Sequence, residues 1–215
     1  MSENNQTLLS IKNLCISSGE LALINSFNLE LNSGDCKSIC APTGTGKTSI
    51  FNYIADILPV QGFSNSGLIT KIDGLKICYA FQEPRLVRSV SVEKNVMLPL
   101  ENLTDKNNAQ KLAQLWLEKL NLSHKMTCFP NQLSGGEQQR AGLARAFAWG
   151  QICFELNMPR IFLLDEPFAS QDSQNIKNIV GIIREQTSLG NTASLIISHD
   201  KQTLESFCTQ TVPLM

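Results

Sequence analysis

Ala41-Pro42-Thr43-Gly44-Thr45-Gly46-Lys47-Thr48 is the stretch of this 215-residue chain that decides its fold. It separates residues 35–40, which are typical of a short buried strand, from residues 48–55, which are typical of the start of a helix. A glycine-rich turn at such a junction directs several backbone N–H groups towards one point, and the positive end of the helix adds to the attraction for phosphate oxygens. The stretch therefore predicts a phosphate-binding loop that continues to Ser49.

The side chains of this loop predict a bound triphosphate and a metal ion. Lys47 supplies an ammonium group for the β- and γ-phosphates, and the hydroxyl group of Thr48 supplies an oxygen ligand for Mg²⁺. The alternative is a turn rich in glycine and threonine that binds nothing. The spacing of Gly44, Gly46 and Lys47 between a strand and a helix favours phosphate binding. Ala41 stands where the usual pattern begins with glycine.

Composition and charge argue against several other classes of protein. The chain is 42% hydrophobic and 17% charged, as soluble globular proteins are. Its net charge of −1, without a basic run, argues against a nucleic-acid partner. No apolar run approaches the roughly 18 residues that span a bilayer, and the polar start does not resemble a signal peptide. Seven cysteines without a C-x-x-C pair predict reduced thiols in a cytosolic protein.

The order of apolar patterns predicts an α/β fold. Strands predicted at 35–40, 76–81, 160–164 and 194–198 alternate with helical patterns, and this alternation is typical of a mostly parallel sheet covered on both faces. The near-alternation within residues 8–31 predicts antiparallel strands beside the phosphate loop.

Helical patterns between residues 91 and 158 interrupt the alternation of strands and helices. In one of them Leu112, Leu115, Trp116 and Leu120 are predicted to share a face. We interpret the block as a helical subdomain inserted into a single domain that covers residues 1–215. Residues 1–90 and 159–215 then form the nucleotide-binding core, a P-loop NTPase core with an antiparallel β part.

Two carboxylates stand where the strand at 160–164 ends. Ligands of open α/β sheets bind at the carboxyl ends of strands, close to the phosphate loop. Asp165 is the predicted oxygen ligand of a cation that bridges phosphates, and Glu166 is placed to orient and deprotonate an attacking water. The alternative is an acidic pair that caps a loop, which is common after strands. The phosphate loop in the same chain favours the chemical role.

A second glycine-rich turn occurs in Leu133-Ser134-Gly135-Gly136-Glu137-Gln138-Gln139-Arg140. Ser134 can cap a helix, and the glycines after it leave backbone N–H groups uncovered, so this turn is a second predicted anion site. If a second copy of the chain packed head-to-tail, the Ser134–Gly136 turn of each copy would close over the nucleotide of the other. Without that context the octet is an ordinary helix cap.

At this point the chain resembles the ATP-binding cassette (ABC) ATPases. Leu133–Arg140 matches the signature motif of this family. The phosphate loop, Gln82, the Asp165–Glu166 pair, Asp172 and His199 occur along the chain in the order that the family shows. The resemblance implies a sensor of Mg²⁺ and water at Gln82, a loop that crosses the dimer at Asp172 and a γ-phosphate switch at His199. It also implies that one copy binds ATP across the dimer through a set of signature and loop residues, namely Ser134, Gly135, Gly136, Gln138 and Asp172.

The family implies an ATPase with ATP and Mg²⁺ as ligands and with several protein partners. A second ATPase subunit, either an identical copy or a close paralogue, completes the dimer. Permease subunits hold it at the cytoplasmic face of the membrane, and a solute-binding protein can join them. The alternatives left open are the ATPase of an exporter, a soluble regulator of envelope or cell-division proteins, and a module that has lost turnover.

A narrower likeness covers residues 81–86 and 90–96, which are similar to the corresponding region of uptake ATPases of the nitrate, sulfonate and taurine type. That region implies a groove for a permease helix and favours import.

Several positions depart from the family pattern. Ser17-Ser18-Gly19 stands where an aromatic residue usually stacks on adenine, and Gln171 replaces a leucine of the dimer-crossing loop. A longer segment at 149–158 is predicted to extend the signature helix. We expect no regulatory domain after His199, and therefore slow hydrolysis that depends on a partner.

Overall fold

The computed structural model describes residues 6–40, 45–57 and 62–214, so Ala41, Pro42, Thr43 and Gly44 of the predicted phosphate loop lie outside the described residues. In the described ranges the strands are β1 (Thr7–Ser18), β2 (Leu21–Asn32), β3 (Cys36–Cys40), β4 (Phe63–Lys71), β5 (Lys76–Ala80), β6 (Arg160–Asp165), β7 (Thr192–Ile197) and β8 (Gln210–Pro213). The helices are α1 (Lys47–Ile54), α2 (Val92–Met97), α3 (Lys106–Lys119), α4 (Gly135–Glu155), α5 (Ser173–Thr187) and α6 (Lys201–Glu205).

A parallel sheet with the strand order β5-β6-β7-β3-β8 forms the centre of the described chain. Every residue of β6 and β7 is buried, as expected for strands that are covered on both faces. Asp165 pairs with Ile197, so the last residues of the two central strands lie side by side. The parallel register therefore brings the carboxyl ends of β6 and β7 to one edge, where the site forms.

A second sheet, with the order β2-β1-β4, is antiparallel. Its first two strands confirm the antiparallel prediction for residues 8–31. The apolar residues of β1 and β2 share a core with Ile50 and Phe51 of α1 and with Leu163 and Leu195 of the parallel sheet. This shared core fixes the antiparallel sheet beside the start of α1. β4 was not predicted, because six of its nine residues are polar or glycine and its few apolar side chains do not alternate with them.

The helical block consists of α2, α3 and the first part of α4. Trp116 of α3 stacks on Phe147 of α4, and Phe147 meets Phe162 of β6, each pair with 5.3 Å between ring centroids. The prediction that Leu115 shares the buried face with Leu112 and Trp116 is wrong, because Leu115 is 42% exposed. Successive residues advance about 100° around a helix. The buried stripe of α3 is centred between Ala113 and Trp116, and Leu115 therefore points away from it.

α4 confirms the predicted extension of the signature helix, because it continues through the longer segment as far as Glu155. The extension packs on the parallel sheet, and Gly150 lies so close to the ring of Phe162 that a Cβ atom there would overlap it. In the described part of the chain no helix combines the length and the apolar character that crossing a bilayer requires.

Candidate active site

A cavity of about 200 Å³ lies where the carboxyl ends of the central strands meet the first turn of α1. It is lined by Gly46, Lys47, Thr48, Ser49, Gln82, Asp165, Glu166, Ile197 and His199. The structure thus brings together the predicted catalytic residues, the predicted metal ligands and the described end of the phosphate loop, although they are far apart in sequence. Ile197 was not predicted to belong to the site.

The described end of the phosphate loop favours glycine at position 46. Gly46 has a φ of +81°, in the left-handed region, and a Cβ atom built on it would lie 3.1 Å from the Cβ of Leu23. Its carbonyl group accepts hydrogen bonds from the N–H groups of Ser49 (3.0 Å) and Ile50 (3.3 Å), which starts α1. The side chain of Lys47 is only 7% exposed at this turn. Backbone and ammonium group are therefore positioned by packing, as a phosphate cradle requires.

Thr48 and Asp165 form a pair of oxygen ligands. The hydroxyl group of Thr48 donates a hydrogen bond of 2.8 Å to Oδ2 of Asp165. Burial raises the pKa of Asp165 to about 6, and the neighbouring Glu166 carboxylate adds to the rise, while the hydrogen bond from Thr48 and the charge of Lys47 oppose it. A buried carboxylate of this kind is stabilised by a cation. A hydroxyl and a carboxylate oxygen at hydrogen-bond distance fit the hard oxygen ligands that Mg²⁺ prefers.

Glu166 is held in an unusual backbone conformation. Its φ is +49°, in the region that favours glycine, and its N–H group donates to the carbonyl of Ile197 at 2.8 Å. Oε2 accepts a hydrogen bond of 3.3 Å from the backbone N–H of His199, and Nε2 of His199 lies 3.2 Å from Oε1. Oε1 is buried but has no partner in hydrogen-bond geometry within the described residues. The backbone N–H and the imidazole of His199 thus lie against the two carboxylate oxygens of the predicted general base.

Gln139 belongs to the site although its role was not predicted. Its buried side chain donates to the carbonyl groups of Glu166 (3.3 Å) and Asp165 (3.5 Å), so α4 supports the loop that carries both carboxylates. The neighbouring Gln138 donates instead to the carbonyl of Leu133 at 3.2 Å. Only the direction of the α4 face distinguishes the two glutamines, and the octet alone does not show which of them points inwards.

The second glycine-rich turn confirms the predicted cap of α4. Oγ of Ser134 accepts from the N–H of Glu137 (3.3 Å), and Oε2 of Glu137 accepts from the N–H of Ser134 (2.8 Å). The hydrogen bond from Ser134 N–H lowers the pKa of Glu137. A Cβ atom on Gly135 would meet nothing within 4 Å, so the turn is open to solvent on that side.

The residues predicted to act across a dimer do not line the Lys47 cavity. They are Ser134, Gly135, Gly136, Gln138 and Asp172. Asp172 caps α5, because its Oδ1 accepts from the N–H of Asn175 at 2.8 Å, and this hydrogen bond lowers the pKa of Asp172. One chain therefore carries two separate glycine-rich helix starts, and only the first adjoins the carboxylates. The role of the second across a dimer stays a prediction.

Comparisons with known proteins agree with this geometry. A protein-family model described as ABC transporter matches residues 24–169. The chain is 30% identical over 190 residues to the lipoprotein-releasing system ATP-binding protein LolD of Buchnera aphidicola (strain APS), covering 83% of this chain and 80% of that protein. It is 29% identical over 214 residues to the intermembrane phospholipid transport system ATP-binding protein MlaF of Haemophilus influenzae, with 91% and 76% covered.

A solved structure extends the comparison to the fold. It is the dimeric, post-hydrolysis state of the ATP-binding cassette MJ0796 bound to ADP and Pi. The chain matches it with a TM-score of 0.81 and 26% identity over 96% of this chain and 94% of that one. The span of the family model contains both glycine-rich turns and both carboxylates, whereas His199 lies beyond it.

Proposed function

Because the chain belongs to the ABC transporter family and is an ATPase that uses ATP with Mg²⁺, we propose that it powers the movement of a solute across the cytoplasmic membrane. The observation that carries the proposal is the meeting of Lys47, the Thr48–Asp165 pair, Gln82 and the Glu166–His199 pair around one cavity. A turn that merely caps a helix has no need of a buried lysine, a buried carboxylate and a second carboxylate beside a histidine.

Each residue around the cavity has a separate role in ATP hydrolysis. Lys47 would neutralise phosphate oxygens, and Thr48 with Asp165 would hold a Mg²⁺ ion, which would screen the negative charge of the phosphates. The carboxylate of Glu166 accepts the proton of an attacking water. His199 contacts both carboxylate oxygens of Glu166 and so fixes its direction. Gln82 follows β5 by two residues and lines the same cavity. It therefore links the occupancy of the cavity to the position of the segment that follows it.

Two copies of the chain are proposed to close around two ATP molecules. Each copy offers the Lys47 loop for one nucleotide and the Ser134–Gly136 turn for the other, since the two lie apart in a single chain. A nucleotide that touches both copies favours the closed dimer because it binds that state better than it binds the separate subunits. Hydrolysis removes the contacts, and the dimer reopens.

The permease is proposed to dock beside the segment that follows Gln82. A cavity of about 460 Å³ lies there, lined by Glu83, Pro84, Arg85, Leu86, Arg88, Pro130, Asn131 and Gln138. Val87 of the same segment is 43% exposed, and Arg145 of α4 donates to the carbonyl of Arg85 at 3.1 Å. Movements of this segment are thereby transmitted to the signature helix. Docking there would hold the protein at the cytoplasmic face of the membrane.

The direction of transport and the nitrate, sulfonate and taurine subtype stay predictions from residues 81–86 and 90–96. The two relatives described above are named for lipoprotein release and for intermembrane phospholipid transport, so neither supports that subtype. Affinity capture of the native protein with its membrane partners, followed by mass spectrometry, separates the alternatives. A multi-spanning transporter protein supports the proposal, whereas capture of only cell-division or envelope proteins supports the soluble regulator.

The ATPase mechanism is tested with two variants. Glu166→Gln keeps the phosphate loop and the metal ligands, and we expect it to bind ATP and to form an ATP-dependent dimer by light scattering. Lys47→Ala should do neither. Hydrolysis by Glu166→Gln at the parental rate in the intact complex would show that Glu166 is not the general base.

A further inference from the structure

A row of three residues crosses the end of the antiparallel sheet. Ser18 of β1 pairs with Leu21 of β2 on one side and with Phe63 of β4 on the other. Directly opposite residues of antiparallel strands carry their side chains on the same face of the sheet. Leu21 is 65% exposed and Phe63 is half-buried. The row is therefore an accessible apolar surface with a small residue at its centre.

The row lies on the face of the sheet that packs against the core. Ile16 and Ile24 pair with each other earlier on β1 and later on β2, and both are buried in the core that includes α1. Ser18 stands two residues after Ile16, so its side chain returns to the same face. Phe63 packs against the edge of the same core. The row thus continues the buried face of the sheet to its exposed end.

This face also meets the phosphate loop. A Cβ atom on Gly46 would lie 3.1 Å from the Cβ of Leu23 and 3.2 Å from Cδ1 of Ile24, so the loop rests on β2. Ser18 lies two residues of β1 beyond the partner of Ile24, or about 7 Å further along the strand. β2 meets the loop from the antiparallel sheet, whereas Glu166 lines the cavity just after β6 of the parallel sheet. The row and the carboxylates therefore belong to different borders of the loop.

We propose that the ring of Phe63 stacks on the base of ATP and that Leu21 bounds the base on the other side. A triphosphate that extends from Glu166 along the Lys47 turn directs its ribose and base towards the antiparallel sheet. A base is a flat π-surface that binds to aromatic rings by stacking. Ser18 leaves the place of the family's usual aromatic residue unfilled, and Phe63 offers a ring from the neighbouring strand. The inference rests on the placement of ATP at the Lys47 cavity and is independent of the proposed dimer and permease.

Three substitutions separate the ring of Phe63 from its packing. Phe63→Leu keeps an apolar side chain against the core but removes the π-face, whereas Phe63→Tyr keeps the ring. The matched control is Leu68→Ala, which removes an apolar side chain that is 60% exposed on the same strand. Each variant changes a partly or largely exposed residue, so each is expected to fold.

The first experiment measures by calorimetry the binding of a nonhydrolysable ATP analogue and of inorganic tripolyphosphate, both with Mg²⁺. Tripolyphosphate carries three linked phosphates but no base. We expect Phe63→Leu to raise the dissociation constant of the ATP analogue roughly 5- to 10-fold, as for a base that loses an aromatic partner. The dissociation constant of tripolyphosphate should not change, and Phe63→Tyr and Leu68→Ala should bind both ligands as the parent does. Parental affinity for the analogue in Phe63→Leu, or an equal loss for both ligands, would overturn the proposal.

The second experiment moves the ring to the neighbouring strand. Ser18→Tyr, added to Phe63→Leu, restores an aromatic ring to the same row. We expect the affinity for the ATP analogue to return towards the parental value while the affinity for tripolyphosphate stays constant. A merely structural phenylalanine would lower the melting temperature and weaken both ligands, and a tyrosine at position 18 would not restore binding. Failure of this rescue would show that the base does not lie over the row.

The identity of the base gives a third test. Because stacking tolerates any base, Phe63→Leu should weaken the binding of a nonhydrolysable GTP analogue by a similar factor. A loss confined to the ATP analogue would indicate recognition of the base by hydrogen bonds and would contradict stacking.

The outcomes for the proposed function and for this inference are distinct. If Lys47→Ala binds tripolyphosphate and the ATP analogue as the parent does, the Lys47 cavity is not the nucleotide site and both proposals fail. If Lys47→Ala loses both ligands while Phe63→Leu loses neither, the proposed ATPase site stands and only the role of Phe63 is refuted.

Discussion

Replacement of Asp165 by asparagine is expected to change how the stability of the metal-free protein depends on pH. Asp165 is buried at the end of β6, and burial raises its pKa from 3.8 to about 6. A pKa difference of one corresponds to about 1.4 kcal/mol, so ionisation of Asp165 costs the folded state on the order of 3 kcal/mol relative to the unfolded chain. Asparagine carries no charge and keeps an acceptor for the hydroxyl group of Thr48.

The sign of the effect follows from which state binds the proton. Below pH 3.8 the carboxyl group is protonated in both states and has no effect on stability. Between pH 3.8 and about 6 the folded chain keeps the proton that the unfolded chain has released, so the free energy of unfolding falls as the pH rises. Above that range the loss is complete. The stability of Asp165→Asn relative to the parent should therefore grow by about 2.4 kcal/mol between about pH 4 and pH 7.5.

The measurement is urea denaturation across this pH range with a chelator present. Asp172→Asn is the matched control. The pKa of Asp172 is lowered by the hydrogen bond from Asn175, so this variant should lose stability relative to the parent as the pH rises. Mg²⁺ with a nonhydrolysable ATP analogue should stabilise the parent more than Asp165→Asn. A stability difference for Asp165→Asn that is flat or shrinks with rising pH would refute the reasoning.

Three further predictions follow from other parts of the structure. Gly150→Ala should cost roughly 1–3 kcal/mol in urea denaturation, because the new Cβ overlaps the ring of Phe162, and should leave ATP affinity unchanged; unaltered stability would contradict this packing. Ser134→Ala should cost about 1 kcal/mol through the lost cap. It should also weaken ATP-dependent dimerisation without affecting ATP binding by the monomer, and equal loss of both would count against the opposed dimer. Cys36 and Cys208, whose Sγ atoms are 3.9 Å apart, should form a disulfide on treatment with a diazene oxidant, detected by peptide mapping and absent in Cys208→Ser.

Local chemistry made much of the site predictable. The phosphate loop, the cap of the signature helix and the Asp165–Glu166 pair each depend on neighbouring residues whose spacing reflects one turn or one strand end. Such units keep their chemistry wherever the fold places them. Their meeting at one cavity followed from the rule that parallel strands present their carboxyl ends at the same edge. The general architecture was predictable for the same reason.

Features that depend on distant contacts were not predictable. Gln138 and Gln139 are equivalent in the sequence, and only the packing of α4 on the carboxylate loop sends Gln139 inwards. Leu115 was assigned to the buried face of α3 but is exposed, because the stripe that packs on α4 is centred between Ala113 and Trp116. β8 is short and largely exposed, and it becomes a strand by pairing with β3. In each case the deciding partner lies far away in the chain.

Because α4 is long, a small tilt of the helix moves its amino end over a large distance. The helix contains no proline that would kink it. We take the close contact between Gly150 and the Phe162 ring as the point about which the helix tilts on the sheet. Gly136 lies 14 residues nearer the amino end, or about 21 Å along the axis at 1.5 Å per residue. A tilt of roughly 10° about this contact would displace Gly136 by almost 4 Å, which is enough to break or make a hydrogen bond. A displacement of the segment that Arg145 contacts would be larger at Gly136 than at Arg145, because Gly136 lies farther from Gly150 along the helix.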